Sequence, residues 1–288
     1  MAKNLSLCII YMRGMRGNQE KNQRILITGG TSGLGLELVR RFLNSGLKVV
    51  ATGRQRIEIP GFEDRFTLCN TDFSDLQMVS AEMRRICSSH SFDLIINNAG
   101  ILSPPVYTET ANNLEYTFQV NFLAHLLINE LIIKGINDHR NVRIATVTSP
   151  VYRFASIGPG IEQGAGNYRP MRSYASSKLY LAMMSELLAS RHKESAIQCF
   201  AFDPGTFSSG IYRMQNTWFR YMYNVAAPFM RSPARVAKTL EELMLKEETV
   251  SGSIYDRSKK QRSVPETDKF QKSYFIDRCY ELIDPFLK

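Results

Sequence analysis

Arg24-Ile-Leu-Ile-Thr-Gly-Gly-Thr-Ser-Gly-Leu-Gly35 decides the fold. The apolar run reads as a strand covered on both faces, the glycines at 29, 33 and 35 as a tight turn, and the pattern over 33–45 as a helix that starts at once. Such a junction gathers free backbone N–H groups and the positive end of a helix dipole at one point, which suits a pyrophosphate. Gly29 permits the turn, Gly33 lets phosphates approach, and Gly35 allows the helix to pack close on the strand. Ser32 and Leu34 complete the candidate cradle.

Further strands are expected at 47–52, 66–70, 94–97, 142–148 and 197–202, and further helices at 75–88, 112–135, 174–192 and 233–246. Alternation of this kind predicts a single-domain α/β fold, a Rossmann-type doubly wound parallel sheet with helices on both faces. No internal repeat or linker divides it. Residues 1–23 read as a leader, 24–256 as the dinucleotide-binding domain, and 257–288 as a basic C-terminal extension. That extension ends in an amphipathic helix with Phe275, Cys279, Leu282, Ile283 and Phe286 on one stripe. The stripe is expected to pack on the core, with an oligomer contact as the alternative.

A chain of 288 residues with 44% hydrophobic content can bury a sizeable core. Its five cysteines are odd in number, scattered and without CxxC spacing, and its four histidines do not cluster, so no metal and no disulfide framework is expected. The net charge of +9 is spread along the chain apart from Arg257-Ser-Lys-Lys-Gln-Arg262, and no nucleic-acid partner is inferred. No apolar run reaches the roughly 18 residues of a membrane span. Residues 5–12 are mostly apolar and followed by Arg13, Arg16, Lys21 and Arg24. A cytoplasmic protein is expected, or a mitochondrial one if this leader is a targeting segment.

At the end of the second strand, where an acid would bind a ribose 2′-hydroxyl, stand Gly53 and Arg54. A guanidinium suits a 2′-phosphate bidentately, so NADP(H) is the expected cofactor, the alternative being a merely solvated arginine. Asp72, just past the third strand, either closes the adenine side or caps a helix. Ser149 ends an apolar run, and Tyr174 and Lys178 stand four apart in Ser-Tyr-Ala-Ser-Ser-Lys. On a helix that spacing puts the ammonium beside the phenol, where it favours the phenolate and fits the tyrosine for acid–base work near neutral pH.

The glycine turn, Asn97-Asn-Ala-Gly100, Ser149, Tyr174-x-x-x-Lys178 and Asp203-Pro-Gly205 occur in an order that resembles the short-chain dehydrogenase/reductase family over roughly residues 24–256. Within it, Val120-Asn-Phe-Leu-Ala-His-Leu-Leu127 and Ser251-Gly-Ser-Ile-Tyr255 look like the retinol-dehydrogenase and protochlorophyllide-reductase-like branch. The resemblance implies Tyr174 as general acid or base, Lys178 on the nicotinamide ribose, and Ser149 on the substrate oxygen. It implies Asn121 as holder of a water that links Lys178 to solvent, Asn98, Ala99 and Gly100 along the adenosine pocket, and Pro204 and Gly205 beside the nicotinamide. The implied reaction is hydride transfer between NADP(H) and a carbonyl or secondary alcohol. Reduction of a conjugated C=C bond, or dinucleotide sensing without turnover, are the alternatives.

The substrate loop between Ser149 and Tyr174 is glycine-rich, and residues of about 206–231 form an aromatic and methionine-rich lid. That lid suits a lipophilic carbonyl or alcohol such as a steroid, retinoid or aryl ketone. A core or dimer role for the same residues, and peripheral membrane contact, stay open, as does a homodimer or homotetramer. Ser208 and Ser209 stand where the family often has threonine, which leaves the carboxamide contact open.

Overall fold

The computed structural model describes residues 23–136, 140–155, 157, 165–206 and 232–288. The leader and the aromatic lid at 207–231 therefore lie outside the described residues. The strands are β1 (Arg24–Ile27), β2 (Lys48–Gly53), β3 (Phe66–Asn70), β4 (Leu94–Asn97), β5 (Val142–Val147), β6 (Ile197–Asp203), β7 (Ile254–Asp256) and β8 (Gln261–Arg262). The helices are α1 (Gly33–Asn44), α2 (Leu76–Ser89), α3 (Ala124–Lys134), α4 (Pro170–Arg191), α5 (Pro233–Leu245) and α6 (Lys269–Leu287).

One sheet runs in the order β3-β2-β1-β4-β5-β6-β7-β8. All pairs are parallel except the last, where β8 closes antiparallel on β7. The strand order reverses between β1 and β4, so a crevice opens beyond their carboxyl ends.

Alternation along β1 explains the two layers. Leu26 points into one apolar cluster with α2, α3, α4 and α6, whereas Ile25 and Ile27 point into the other with α1 and α5. Buried on both faces, the strand carries no polar side chain at its centre. Helix α6 lays Phe275, Cys279 and Ile283 onto the first cluster, with Leu282 and Phe286 partly buried beside them. The rings of Tyr180 and Phe275 stand 4.2 Å apart.

The expected helix at 112–135 differs in detail. It begins as one turn at Tyr116–Phe118, widens to a π-helical turn over Gln119–Leu123, and only then becomes α3. Glu115 caps the start, accepting from the backbone N–H groups of Thr117 (3.0 Å) and Phe118 (2.7 Å). Helix α2 is capped by Asp75, not Asp72, through Gln77 N–H (2.9 Å) and Met78 N–H (3.1 Å). Strands β7 and β8 are too short for an apolar pattern to announce them; pairing with β6 defines β7.

Candidate active site

Most candidate residues sit at the carboxyl edge of the parallel strands, at the start of α1 or on α4, and Asn121 comes from the turn that precedes α3. The turn with Gly29 follows β1, Arg54 follows β2, Asn98 to Gly100 follow β4, Ser149 follows β5, and Pro204 and Gly205 follow β6.

The glycine turn is tight for identifiable reasons. Gly29 adopts φ +66° and Gly33 φ +54°, the left-handed region that glycine enters without strain. A Cβ on Gly35 would stand 2.1 Å from the Gly29 carbonyl oxygen, and one on Gly29 would stand 2.8 Å from Ala99 Cα. Ser32 is the N-cap of α1 yet makes no side-chain cap hydrogen bond, so its hydroxyl leaves the first N–H groups of the helix to another acceptor. Asn98 braces the turn from behind: its amide donates to the carbonyls of Thr28 (2.9 Å) and Gly29 (3.4 Å).

At the neighbouring corner, Gly53 packs against Thr31, and a Cβ there would stand 2.4 Å from Thr31 Cγ2 and 2.7 Å from its Oγ1. Arg54 is exposed, with Asp72 Oδ2 3.9 Å from its guanidinium. The other Asp72 oxygen accepts from the backbone N–H and hydroxyl of Ser74, both at 2.9 Å. An exposed pair of this length contributes little and yields to a stronger anion.

Tyr174 and Lys178 lie on one buried face of α4. Lys178 Nζ stands 5.8 Å from the centre of the Tyr174 ring and donates to the Val147 carbonyl at 3.3 Å. Thr148 returns the tie, its hydroxyl donating to the Lys178 carbonyl at 2.6 Å. These two bonds fasten α4 to the end of β5, which Ser149 follows in the chain. Ser149 is extended, heads the 3₁₀ turn Pro150–Phe154, and makes no side-chain cap hydrogen bond there. Burial pushes the Lys178 ammonium down to about 8.

Asn121 falls within the π-helical turn. Its side chain accepts from Ile101 N–H (2.8 Å) and donates to the Ile101 carbonyl (3.0 Å) and to Ser177 Oγ (3.0 Å). Gly100 fits between the two polar groups: a Cβ on it would stand 3.3 Å from Asn121 Oδ1 and 3.4 Å from Lys178 Nζ. Gly205 has φ +68° and donates its N–H to Asp203 Oδ1 at 2.9 Å, while Arg257 lies against it.

The model of the short chain dehydrogenase family matches residues 23–220. The chain belongs to the short-chain dehydrogenase family. It is 29% identical over 252 residues to a WW domain-containing oxidoreductase of Drosophila melanogaster, covering 81% of this chain and 60% of that protein. It is 27% identical over 243 residues to human retinol dehydrogenase 11, covering 80% of this chain and 76% of that protein. Retinol dehydrogenases thus stand among the proteins to which this chain is similar. The fold is shared with the short chain dehydrogenase of Leptospira borgpetersenii serovar Hardjo-bovis, solved with bound NAD+, at TM-score 0.62 and 19% identity over 82% of this chain and 91% of that one. Among the described residues no helix is long and apolar enough to cross a membrane.

Sequence reasoning passed over two residues that the structure puts in contact with this site. Thr31 fills the space beside Gly53. His125, read from the sequence as one of four unclustered histidines, is wholly buried between the glycine turn and Asn121. Its signal was present: Asn121, His125 and Asn129 stand at i, i+4 and i+8 in a run, 121–129, whose other residues are apolar, which places three polar groups on one face.

Proposed function

We propose that this short-chain dehydrogenase is an NADP(H)-dependent oxidoreductase acting on the carbonyl or secondary alcohol of a lipophilic small molecule of the steroid, retinoid or aryl-ketone class. One observation carries the reading: a buried lysine ammonium 5.8 Å from a tyrosine ring, fastened to the strand end that presents Ser149. The residues of the turn also fit a dinucleotide. Gly29 and Gly35 leave room for no side chain, and the start of α1 keeps its first N–H groups uncapped by Ser32.

When bound, the nicotinamide supplies or accepts the hydride. The chain's own groups manage the proton. Tyr174 gives its phenolic proton to the substrate oxygen in reduction and takes it back in oxidation, and Ser149 holds that oxygen in place. Lys178 favours the phenolate by its charge and would hold the nicotinamide ribose, and Asn121 would connect Lys178 to solvent through a water. Arg54, whose only ion pair among the described residues is a long one with Asp72, would hold the 2′-phosphate. Reduction is the favoured direction, because cells keep NADPH reduced.

The lipophilic class is supported by exposed apolar side chains around the strand ends. Val106 lies after β4, Phe154 after β5 and Met171 before Tyr174, with 69%, 88% and 59% of their surface open. The likeness to retinol dehydrogenases points the same way. The test is oxidation of NADPH by the purified protein with retinal, steroid ketones, aryl ketones and quinones, followed by loss of reduced-nicotinamide absorbance. Turnover with at least one lipophilic carbonyl, and a preference for NADPH over NADH, are expected. Arg54→Ala should raise the NADPH KM about tenfold or more, since hydrogen bonds to charged groups contribute about 1.5–3 kcal/mol. A folded protein inert with both dinucleotides across the panel would overturn the assignment.

A further inference from the structure

The polar face of α3 joins the two halves of the site. Thr28 Oγ1 accepts the backbone N–H groups of Asn98 (2.8 Å) and Ala99 (2.9 Å) and stands 2.9 Å from His125 Nε2. A hydroxyl oxygen has two lone pairs and one proton. Two N–H donors occupy the lone pairs, so the proton goes to Nε2, the Ile96 carbonyl at 3.4 Å being the more distant acceptor. The other ring nitrogen, Nδ1, lies 2.8 Å from the Asn121 main-chain carbonyl, which can only accept. Both ends of the ring thus specify one species, the neutral Nδ1–H tautomer. Complete burial agrees, pushing the imidazole pKa down to about 3.

The path continues on either side. Asn121 donates to Ser177 Oγ (3.0 Å), whose hydroxyl donates to the Tyr174 carbonyl (2.8 Å). Behind the histidine, Asn129 donates to the His125 carbonyl (2.7 Å) and accepts from Asn97 (3.2 Å). Hydrogen bonds therefore run from the turn after β1 through His125 to the main-chain carbonyl of Asn121 in the π-helical turn, and from the side-chain amide of the same residue through Ser177 to the backbone of Tyr174. π-Helical turns of this kind often mark functional positions, because the widened turn re-aims the groups it carries.

Resting on the dehydrogenase reading above, we propose that His125 is a positioning residue: it holds the cofactor turn in register with the Asn121 carbonyl and, through Ser177, with Tyr174. A carbonyl oxygen has a second lone pair. The imidazole takes one, and a water through which Asn121 serves Lys178 would take the other. His125 touches neither substrate nor cofactor; it sets where the groups that touch them stand.

Two substitutions separate the ends of the strut. In His125→Asn the side-chain amide can still donate to the Asn121 carbonyl but no longer reaches Thr28. His125→Phe keeps a ring against Phe73, which meets the imidazole edge-on at 5.2 Å, and gives up both bonds. His125→Asn is expected to weaken NADPH binding several-fold, read by cofactor fluorescence, with kcat and its pH profile near wild type. His125→Phe is expected to weaken binding likewise and also to lower kcat at least tenfold, with a displaced alkaline or acidic limb in the kcat–pH profile. A purely structural role would lower the Tm of both variants and leave the pH profile in place.

A folded His125→Phe protein with wild-type NADPH affinity and an unchanged profile would overturn the inference. If that variant does not fold, nitrogen NMR of the wild-type histidines decides. The Nδ1–H tautomer should persist without titration across roughly pH 5–8, with a shift at Nε2 on adding NADPH. An Nε2–H tautomer, ordinary titration, or indifference to NADPH would overturn it. Wild-type protein that binds no dinucleotide refutes the dehydrogenase reading itself, whereas normal binding with an indifferent His125 refutes only the strut.

Discussion

Replacing Lys178 with methionine should make the cofactor-free protein more stable at neutral pH while abolishing turnover. Lys178 is 5% exposed, and burial lowers its pKa from 10.5 to about 8. A tenfold change in proton affinity is worth about 1.4 kcal/mol, so holding this ammonium in the folded state costs roughly 3 kcal/mol relative to the unfolded chain. The folded pKa lies below the unfolded one. The cost is therefore present in full below about pH 8, shrinks as pH rises toward 10.5, and vanishes once both states are neutral. Methionine removes the charge, keeps an apolar stem, and forfeits the bond to the Val147 carbonyl, worth about 1 kcal/mol. The net expectation is a gain of about 2 kcal/mol at pH 7 that turns into a deficit of about 1 kcal/mol above pH 10.5. Urea denaturation of both proteins without cofactor, at neutral pH and at pH 10.5, measures it. A variant less stable at pH 7, or a difference that ignores pH, would refute the claim that desolvation governs this lysine.

Tyr174→Phe should keep the fold and NADPH binding but lower turnover by roughly 10²–10⁴; single-turnover kinetics with saturating cofactor measure this, and near wild-type rates would remove Tyr174 from the chemistry. Gly53→Asp, the obvious route to NADH preference, should instead weaken both dinucleotides and lower the Tm, because its Cβ would meet Thr31 at 2.4 Å. Adding Thr31→Gly should restore folding and shift preference toward NADH; a stable, NADH-preferring single variant would contradict the jam at this corner. Gly35→Ala should abolish dinucleotide binding and reduce stability, since its methyl would stand 2.1 Å from the Gly29 carbonyl. Calorimetric NADPH binding by a folded Gly35→Ala protein would count against the turn geometry.

Most of the sheet was legible because its strands are short stretches rich in apolar and β-branched residues: β3 and β4 start and end at the expected residues, and β1, β2, β5 and β6 within one. The π-helical turn was not legible, because one extra residue in a turn leaves the apolar pattern of 112–135 nearly unchanged. Strands β7 and β8, three and two residues long, exist only through pairing with what precedes them. Motifs named candidate site residues, and the structure sets most of them along one edge of the sheet. What motifs could not convey is mutual exclusion and linkage. Thr31 and Gly53 compete for one volume across two turns, and His125 acquires its meaning only when α3 lies across β1.

Among the described helices longer than ten residues, α6 buries the fewest residues. Helix α4 buries much of its length from Tyr174 to Leu188, whereas α6, nearly as long, buries only Phe275, Cys279 and Ile283. Yet Phe275 of α6 rests on Tyr180, less than two turns along α4 from Tyr174. Proteins open first where buried contact is thinnest. On warming, α6 is therefore the element that should peel away while the sheet and the glycine turn remain intact. The protein would then lose the alignment of its tyrosine before it loses its shape, so that inactivation and unfolding become two separate events.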